Sequence, residues 1–468
     1  MFFYKHYTPG LAINSFIIAD LKTRKCAIID PTRDVHEYVA IIEKENLSLV
    51  AILETHVHAD FISGALELKN NFSEKPKIYC SGMGGEEWTP KYADVVVSNG
   101  DELSLGEIRF KVVHTPGHTP EHIMWALYDD TRSSDVPWIL FTGDFLFVGA
   151  VGRPDLLGKK EFELLSHQLY RSVFKTLADF EAYTEIYPSH GAGSMCGKSL
   201  ASRSSSTVGY EKHFNESLQY LPETEWVENL MRDMPPSPPY FSRMKSVNVE
   251  GAPVIGDKFK SLKQLTPQEL QEFSLEGATI LDIRSKESFS SSHIPGSINI
   301  PFSVNIATWA GWKLKYDVPI ILVTEEKMHL EEVVLNLLRV GFDTIEGCLE
   351  GGISSWEKEG LATNHITTYS VQDLAKLLKE KASLRLIDIR QDDEWASGHI
   401  PTAEHIPLEN IEKRIDELNK DDHIVVICGS GYRASIAASI LKKSGRSHVS
   451  NVLGGMTAWQ KESFPVDR

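Results

Sequence analysis

A chain of 468 residues, 42% apolar, with 48 basic against 65 acidic side chains and a formal charge of −17, has the length of about three domains and too much apolar content for a disordered polymer. The acidic balance lacks the basic footprint of a nucleic-acid binder, and five scattered cysteines (Cys26, Cys80, Cys196, Cys348 and Cys428) are too few for a disulfide scaffold and suit a reducing compartment. No run approaches the roughly 18 apolar residues of a membrane span, and Met1-Phe2-Phe3-Tyr4-Lys5-His6 lacks the pattern of a signal peptide, so the expectation is a soluble, cytoplasmic protein with neither membrane nor nucleic acid as partner.

The first half reads as a β-rich αβ domain. Phe16-Ile17-Ile18, Ala27-Ile28-Ile29 and Val50-Ala51-Ile52-Leu53 are short apolar runs of the kind that form buried strands, and a helical stretch follows over Gly64 to Lys69. Pro235-Pro236-Ser237-Pro238-Pro239 fits neither regular helix nor central strand, and the first domain is expected to end shortly after it, giving residues 1–255.

The second half repeats itself. Ile280-Leu281-Asp282-Ile283-Arg284 returns as Leu386-Ile387-Asp388-Ile389-Arg390, and Ser292-His293-Ile294-Pro295 as Gly398-His399-Ile400-Pro401, both at an offset of 106 residues. Gly351-Gly352-Ile353-Ser354-Ser355-Trp356 returns as Gly454-Gly455-Met456-Thr457-Ala458-Trp459 at 103. Such a period is too long for a solenoid. It predicts two copies of a small α/β domain, at 261–362 and 366–468. Each opens on a helix signal (Thr266-Pro267-Gln268-Glu269; Ser370-Val371-Gln372-Asp373) and alternates strand with helix as a parallel sheet requires.

Potential metal ligands gather where apolar runs of the first domain end. His56, His58 and Asp60 lie in Thr55-His56-Val57-His58-Ala59-Asp60, directly after Val50 to Leu53. His114 and His118, then Asp144, then His190 follow other apolar runs, each in a Gly/Pro-rich turn. Strand ends converging on one sheet edge would bring these groups around one ion, and imidazoles with a carboxylate suit zinc or iron rather than magnesium or calcium.

These residues resemble the metallo-β-lactamase superfamily. Within it, Thr142-Gly143-Asp144-Phe145-Leu146-Phe147-Val148, Val151-Gly152-Arg153-Pro154-Asp155-Leu156 and His190-Gly191-Ala192-Gly193-Ser194-Met195-Cys196-Gly197-Lys198 resemble the persulfide dioxygenases. The resemblance implies an αββα sandwich with one Fe(2+) per chain on His56, His118 and Asp144, and His58, Asp60 and His190 close by; Zn2+ is the alternative metal. Two imidazoles and one carboxylate leave open positions for a persulfide and for O2. The chain departs from the superfamily's hydrolases at Phe61, where they carry a metal-binding His, and from the family loop at Ala150, which often holds an acid. Cys196 reads either as a buried cysteine or as a sulfur relay beside the metal. Arg153, Lys198, Tyr210 and the segment Tyr240 to Lys245 are candidates for contact with a thiol carrier, with ordinary packing and surface roles equally open.

Val425-Val426-Ile427 leads into Cys428-Gly429-Ser430-Gly431-Tyr432-Arg433 and an apolar helix over Ala434 to Leu441. A cysteine at a strand-to-helix turn meets backbone N–H groups and the positive end of a helix, which favour its thiolate. Gly429 and Gly431 let the backbone curl round the sulfur, and Arg433 adds a positive charge. With the Asp-x-Arg and Gly-His-Ile-Pro segments, this loop resembles rhodanese, which implies that Cys428 carries sulfane sulfur as a persulfide. The first copy has Thr324-Glu325-Glu326-Lys327-Met328-His329 at that place, a poor sulfur acceptor, and reads as a structural or docking unit.

The whole order is similar to bacterial persulfide dioxygenase–rhodanese fusions of sulfide-detoxification systems. That likeness implies oxidation of low-molecular-weight thiol persulfides with O2, with sulfite and thiosulfate as products, and leaves self-association open. The rivals are a binuclear zinc thioester hydrolase of the glyoxalase II kind, against which Phe61 speaks, and a non-enzymatic sulfur carrier or sensor, which would have no use for His56, His118 and Asp144.

Overall fold

The apolar runs of the first half are strands buried on both faces. In Ile13–Ala19 every residue is buried: Phe16 and Ile18 point into one core and Ile17 and Ala19 into another, because successive side chains of a strand alternate between faces. A strand that feeds two cores needs no polar alternate, which is why these runs are continuously apolar.

The computed structural model describes residues 1–198, 200–232, 234–256, 262–325 and 329–468. It divides into two compact units, Met1–Lys258 with Leu335–Gly341, and Phe259–Val334 with Phe342–Arg468. The expected start of the second domain at residue 261 and the first copy's Glu326, Lys327 and Met328 lie outside the described residues. No helix among the described residues is long and apolar enough to cross a membrane.

The first unit contains two six-stranded mixed sheets. One runs in sequence order through β1 (Phe2–Thr8), β2 (Ile13–Ala19), β3 (Lys25–Ile29), β4 (Ser48–Leu53), β5 (Lys77–Ser81) and β6 (Val95–Val97). The other comprises β7 (Glu102–Leu105), β8 (Ile108–His114), β9 (Ile123–Asp129), β10 (Ile139–Gly143), β11 (Glu185–Pro188) and β12 (Ser206–Thr207). Phe16, Ile29 and Leu53 from the first sheet meet Phe110, Trp125 and Phe141 from the second in the central core. The outer face of the first sheet packs Ile17, Ile28 and Ile52 on Tyr38 and Ile42 of the helix His36–Lys44 and on Ala65 and Leu68 of the helix Ala65–Asn71. The outer face of the second packs Met124 and Leu140 on Leu169 and Val173 of the helix Lys159–Phe174. The result is the expected αββα sandwich. No helix or strand forms over Pro235–Pro239.

The second unit contains two five-stranded, wholly parallel sheets of the same topology. The first joins β13 (Gln264–Leu265), β14 (Thr279–Asp282), β15 (Ile298–Asn299), β16 (Ile320–Val323) and β17 (Ile345–Leu349) in the order β13-β17-β16-β14-β15. The second joins β18 (Thr367–Tyr369), β19 (Arg385–Asp388), β20 (Glu404–His405), β21 (Ile424–Ile427) and β22 (Val449–Val452) in the order β18-β22-β21-β19-β20. The repeated motifs have repeated work. Thr266 with Glu269 and Ser370 with Asp373 form capping boxes that satisfy backbone N–H groups at a helix start. Arg284 and Arg390 each fold back on the aspartate two residues earlier, with Nη2–Oδ2 distances of 2.7 Å. The indoles of Trp356 and Trp459 donate to Ala362 O and Pro465 O, both at 2.9 Å.

Candidate functional site

Four strand ends, one from the first sheet and three from the second, deliver the predicted ligands to one edge of the sandwich. His56, His58 and Asp60 follow β4; His118 follows β8; Asp144 follows β10; His190 follows β11. His56, His118 and Asp144 offer ligand atoms within 4.8 Å of one another. His56 Nε2 lies 3.7 Å and His118 Nε2 3.6 Å from Asp144 Oδ2. All three atoms are buried and have no hydrogen-bond partner. Buried polar atoms left unpaired cost free energy, so three of them converging on one point fit a metal ion.

The remaining atoms of these residues are occupied, and that fixes which nitrogen faces the centre. Thr55 Oγ1 donates to Asp30 Oδ2 at 2.8 Å and therefore accepts from His56 Nδ1 at 2.9 Å. His118 Nδ1 donates to Arg153 O at 3.0 Å. Both imidazoles thus keep a lone pair on Nε2, the tautomer that a metal needs. Burial, with the positive His58 nearby, holds His56 well below the usual histidine range; burial likewise lowers His118. Burial opposes the charge on Asp144, but the adjacent His190 overrides it and keeps the carboxyl well below its usual range.

The three other predicted neighbours are committed elsewhere. His190 donates from Nδ1 to Asp144 Oδ1 at 2.7 Å and from Nε2 to Asp60 Oδ2 at 2.8 Å. Although burial disfavours its charge, the two carboxylates push it up to about 10. His58 Nε2 turns to Asp30 Oδ1 at 3.2 Å and Glu54 Oε2 at 3.4 Å, and against burial these carboxylates raise it well above the usual value. Phe61 is fully buried, 4.3 Å between ring centroids from His58. His114 stays out of the cluster, with Nε2 on Pro120 O at 2.9 Å. Cys196 is buried within 4.8 Å of ligand atoms of Asp60 and His190; burial, with the Asp60 and Asp144 carboxylates, pushes its thiol well up, which disfavours the thiolate.

Sequence reasoning missed two supports. Asp144 N–H donates to His122 Nε2 at 3.0 Å, and His122 Nδ1 pairs with Thr115 Oγ1 at 2.9 Å; burial and His118 hold His122 near 3, neutral and able to accept. Glu121 takes the Val57 N–H at 2.7 Å and the Thr119 hydroxyl at 2.9 Å, fixing the loop between His56 and His58, and burial pushes its carboxyl up to about 7. A third histidine inside His114-Thr115-Pro116-Gly117-His118-Thr119-Pro120-Glu121-His122 was the available signal. The geometry also explains Gly143: its φ is +53°, and a Cβ there would fall 2.5 Å from His122 Nε2. Replacing His122 by Ala should lower metal affinity about 10–100-fold, as loss of an outer-shell partner does; chelator competition on the purified protein checks it, and unchanged affinity would remove His122 from the site.

Among the candidates for a thiol carrier, Arg153 is internally saturated. It binds both oxygens of Asp155 at 2.7 and 2.8 Å and Pro235 O at 2.8 Å. Lys198 Nζ donates to Arg232 O. Tyr210 is exposed against Phe214, Tyr240 is buried, and Lys245 Nζ sits 3.4 Å over the Trp88 ring.

In the second unit Cys428 sits at the end of β21, and its Sγ accepts the N–H groups of Gly431 at 3.1 Å and Ala434 at 3.4 Å. The following helix spans Tyr432–Lys443, longer than the apolar stretch alone indicates. Gly431 has a φ of +89°, the left-handed turn that closes the loop round the sulfur. Arg433 is held by both oxygens of Glu394 at 2.6 and 2.7 Å, so its charge is shared rather than free. Where the first copy ends β16, Thr324 is buried and Glu325 pairs with Arg284 at 3.1 Å. Cys26, Cys80 and Cys348 are buried packing residues.

Comparison with known proteins agrees with this division. The family model described as "Metallo-beta-lactamase superfamily" matches residues 8–190, and the "Rhodanese-like domain" model matches 266–359 and 370–462. A crystal structure described as a metallo-beta-lactamase from Staphylococcus aureus subsp. aureus COL is 34% identical with a TM-score of 0.66, over 74% of this chain and 98% of that one. A cytoplasmic hydroxyacylglutathione hydrolase of Arabidopsis thaliana is 34% identical over 39% of this chain and 66% of its own length. A putative sulfur carrier protein of Bacillus subtilis is 40% identical over 20% of this chain and 51% of its own.

Proposed function

We propose that this chain, which belongs to the metallo-β-lactamase superfamily and carries two rhodanese-like domains, is a non-haem iron(II) persulfide dioxygenase coupled to a sulfurtransferase, in the manner of the dioxygenase–rhodanese fusions. The observation that carries the reading is the convergence of three donors, His56 Nε2, His118 Nε2 and Asp144 Oδ2, each buried and without a hydrogen-bond partner. His56, His118 and Asp144 would hold iron(II), which would supply the site for bringing a thiol persulfide and O2 together. The protein's part is orientation and exclusion. Thr55 and Arg153 O fix the imidazole tautomers, the Asp60–His190 pair holds the other oxygen of Asp144, and the buried surroundings keep bulk water out. Phe61 stands where hydrolases of the superfamily carry a metal-binding imidazole, which weighs against a second metal beside the first. At Cys428, two N–H donors stabilise sulfur negative charge, which supports a persulfide carrier there. Cys196 is buried against Asp60 and His190, which supports a packing role.

The hydrolase relative keeps one alternative in play, a binuclear zinc thioester hydrolase. Protein purified without air should contain one iron per chain and consume O2 when given glutathione persulfide. Two tightly held zinc ions, with thioester hydrolysis and no oxygen uptake, would replace this reading with the hydrolase. Neither activity, with sulfur loading of Cys428 alone, would replace it with a carrier.

A further inference from the structure

The first rhodanese-like copy has no cysteine loop, yet it holds the loop of the second. Cys428 Sγ accepts two N–H groups, from Gly431 at 3.1 Å and from Ala434 at 3.4 Å. Each of those donors is followed in the chain by a residue whose side chain is bound by the first copy. After Gly431 comes Tyr432, whose hydroxyl donates to Pro301 O at 2.9 Å and therefore accepts from Ser303 Oγ, also at 2.9 Å. After Ala434 comes Ser435, whose hydroxyl donates to Asn299 Oδ1. Arg433, between them, turns instead to Glu394 of its own copy.

The first copy's side of this contact is itself fixed. Asn299 lies on β15, the edge strand of its sheet. Its Nδ2 donates to Asp282 O at 2.9 Å and to Arg284 O at 3.1 Å, which orients the amide so that Oδ1 faces Ser435. Its backbone N–H, of the kind an edge strand leaves without a ladder partner, donates to Ser439 Oγ at 3.0 Å, one turn further along the helix Tyr432–Lys443. Asn299, Ser435 and Ser439 are buried, so each of these bonds satisfies a polar group that water does not reach. An ion pair adds a further tie between the copies: the buried Lys313 of the first reaches Glu412 Oε2 of the second at 3.2 Å. Asn299 stands where the second copy has His405, 106 residues on, so this contact is not part of the repeat.

We propose that the nucleophile-free copy is a clamp on the sulfur loop, and that Tyr432 and Ser435 are positioning residues whose hold on Pro301, Ser303 and Asn299 keeps the Gly431 and Ala434 N–H groups on the Cys428 sulfur. The proposal rests on the reading of Cys428 as a sulfur carrier. In loading from thiosulfate, the Cys428 thiolate attacks the sulfane sulfur, the new S–S bond forms as the old one breaks, and sulfite leaves. N–H donors aimed at the sulfur favour the thiolate over the thiol. A loop released from the clamp loses part of that help, so its cysteine reacts only at higher pH.

Tyr432→Phe and Ser435→Ala, made in the full chain, each delete one hydroxyl that bonds to the first copy and keep most of the side chain's bulk. Two pH profiles test the clamp: alkylation of Cys428 by iodoacetamide, read on its own peptide by mass spectrometry, and loading of Cys428 from thiosulfate. On the acid side of both profiles each variant should react at least about 3-fold more slowly, the scale of one buried hydrogen bond. On the alkaline plateau, where the thiol is ionised in every variant, the rates should return to the wild-type level or above. A role in stability alone would lower the unfolding temperature without displacing either profile. Profiles that coincide with those of the wild type, or a loss equal at every pH, would overturn the proposal. Displaced alkylation profiles in a protein that takes up sulfur from neither thiosulfate nor glutathione persulfide would overturn the carrier role of Cys428 while leaving the clamp standing, so the two ideas fail separately.

Discussion

Replacing His118 by alanine is expected to abolish both iron retention and persulfide-dependent oxygen uptake, the latter by more than about 100-fold, beyond the 10–100-fold typical of losing an outer-shell partner. His118 supplies one of three donor atoms, and its Nδ1 is tied to Arg153 O. Alanine removes the donor, frees that carbonyl and leaves Asp144 Oδ2 with a single imidazole partner. Because His118 is fully buried, alanine also opens a cavity that could destabilise the fold. His118→Gln, closer in volume, separates the two effects: it should keep the unfolding temperature near wild type and still lose the metal. Iron content by elemental analysis and oxygen uptake by electrode decide the matter. If both variants keep iron and turn over within a few-fold of wild type, the three-donor centre is wrong.

Cys428→Ser should have the second large effect, and one of opposite pattern. The metal donors all lie in the first unit, so iron content and oxygen uptake should stay at wild-type levels. Persulfide labelling of the C-terminal copy should fall below detection, because a serine hydroxyl forms no persulfide. The products should change as well. Oxidation of a thiol persulfide by O2, with one water consumed, yields sulfite and the free thiol; sulfite attacking the outer sulfur of a Cys428 persulfide gives thiosulfate and returns the Cys428 thiolate. One tether raises the effective concentration of each site at the other. Wild type in excess persulfide and oxygen should therefore release mainly thiosulfate, and the variant mainly sulfite, with sulfite trapped early to limit its uncatalysed reaction with free persulfide. An unchanged thiosulfate-to-sulfite ratio would sink the coupling and leave the metal centre untouched. Labelling that persists in the variant would remove Cys428 as the carrier.

Much of this protein is legible from local sequence. The continuous apolar run in Ile13–Ala19 announces a strand buried on both faces, and the two-residue alternation of its side chains into separate cores is a property of the strand itself. The 106-residue echo of Asp282 and Arg284 in Asp388 and Arg390 announces two copies of one domain, because each arginine folds back on an aspartate only two residues away. Cys428 between a strand and a helix, with Gly431 after it, announces a loop wrapped round sulfur for the same reason: every partner lies within six residues. The division of labour among the histidines was beyond such reading. His56 and His58 are two residues apart, yet one faces Asp144 and the other Asp30 and Glu54. Glu54 is local to both, and what separates them arrives from other strands: Asp144 at the end of β10 and Asp30 after β3. The capture of Arg433 by Glu394, 39 residues earlier, and the support of Asp144 by His122 have the same origin. Backbone periodicity and turn chemistry set how a segment folds and which face it buries, whereas the partner of a buried charge is chosen only when distant segments close on it and water is removed.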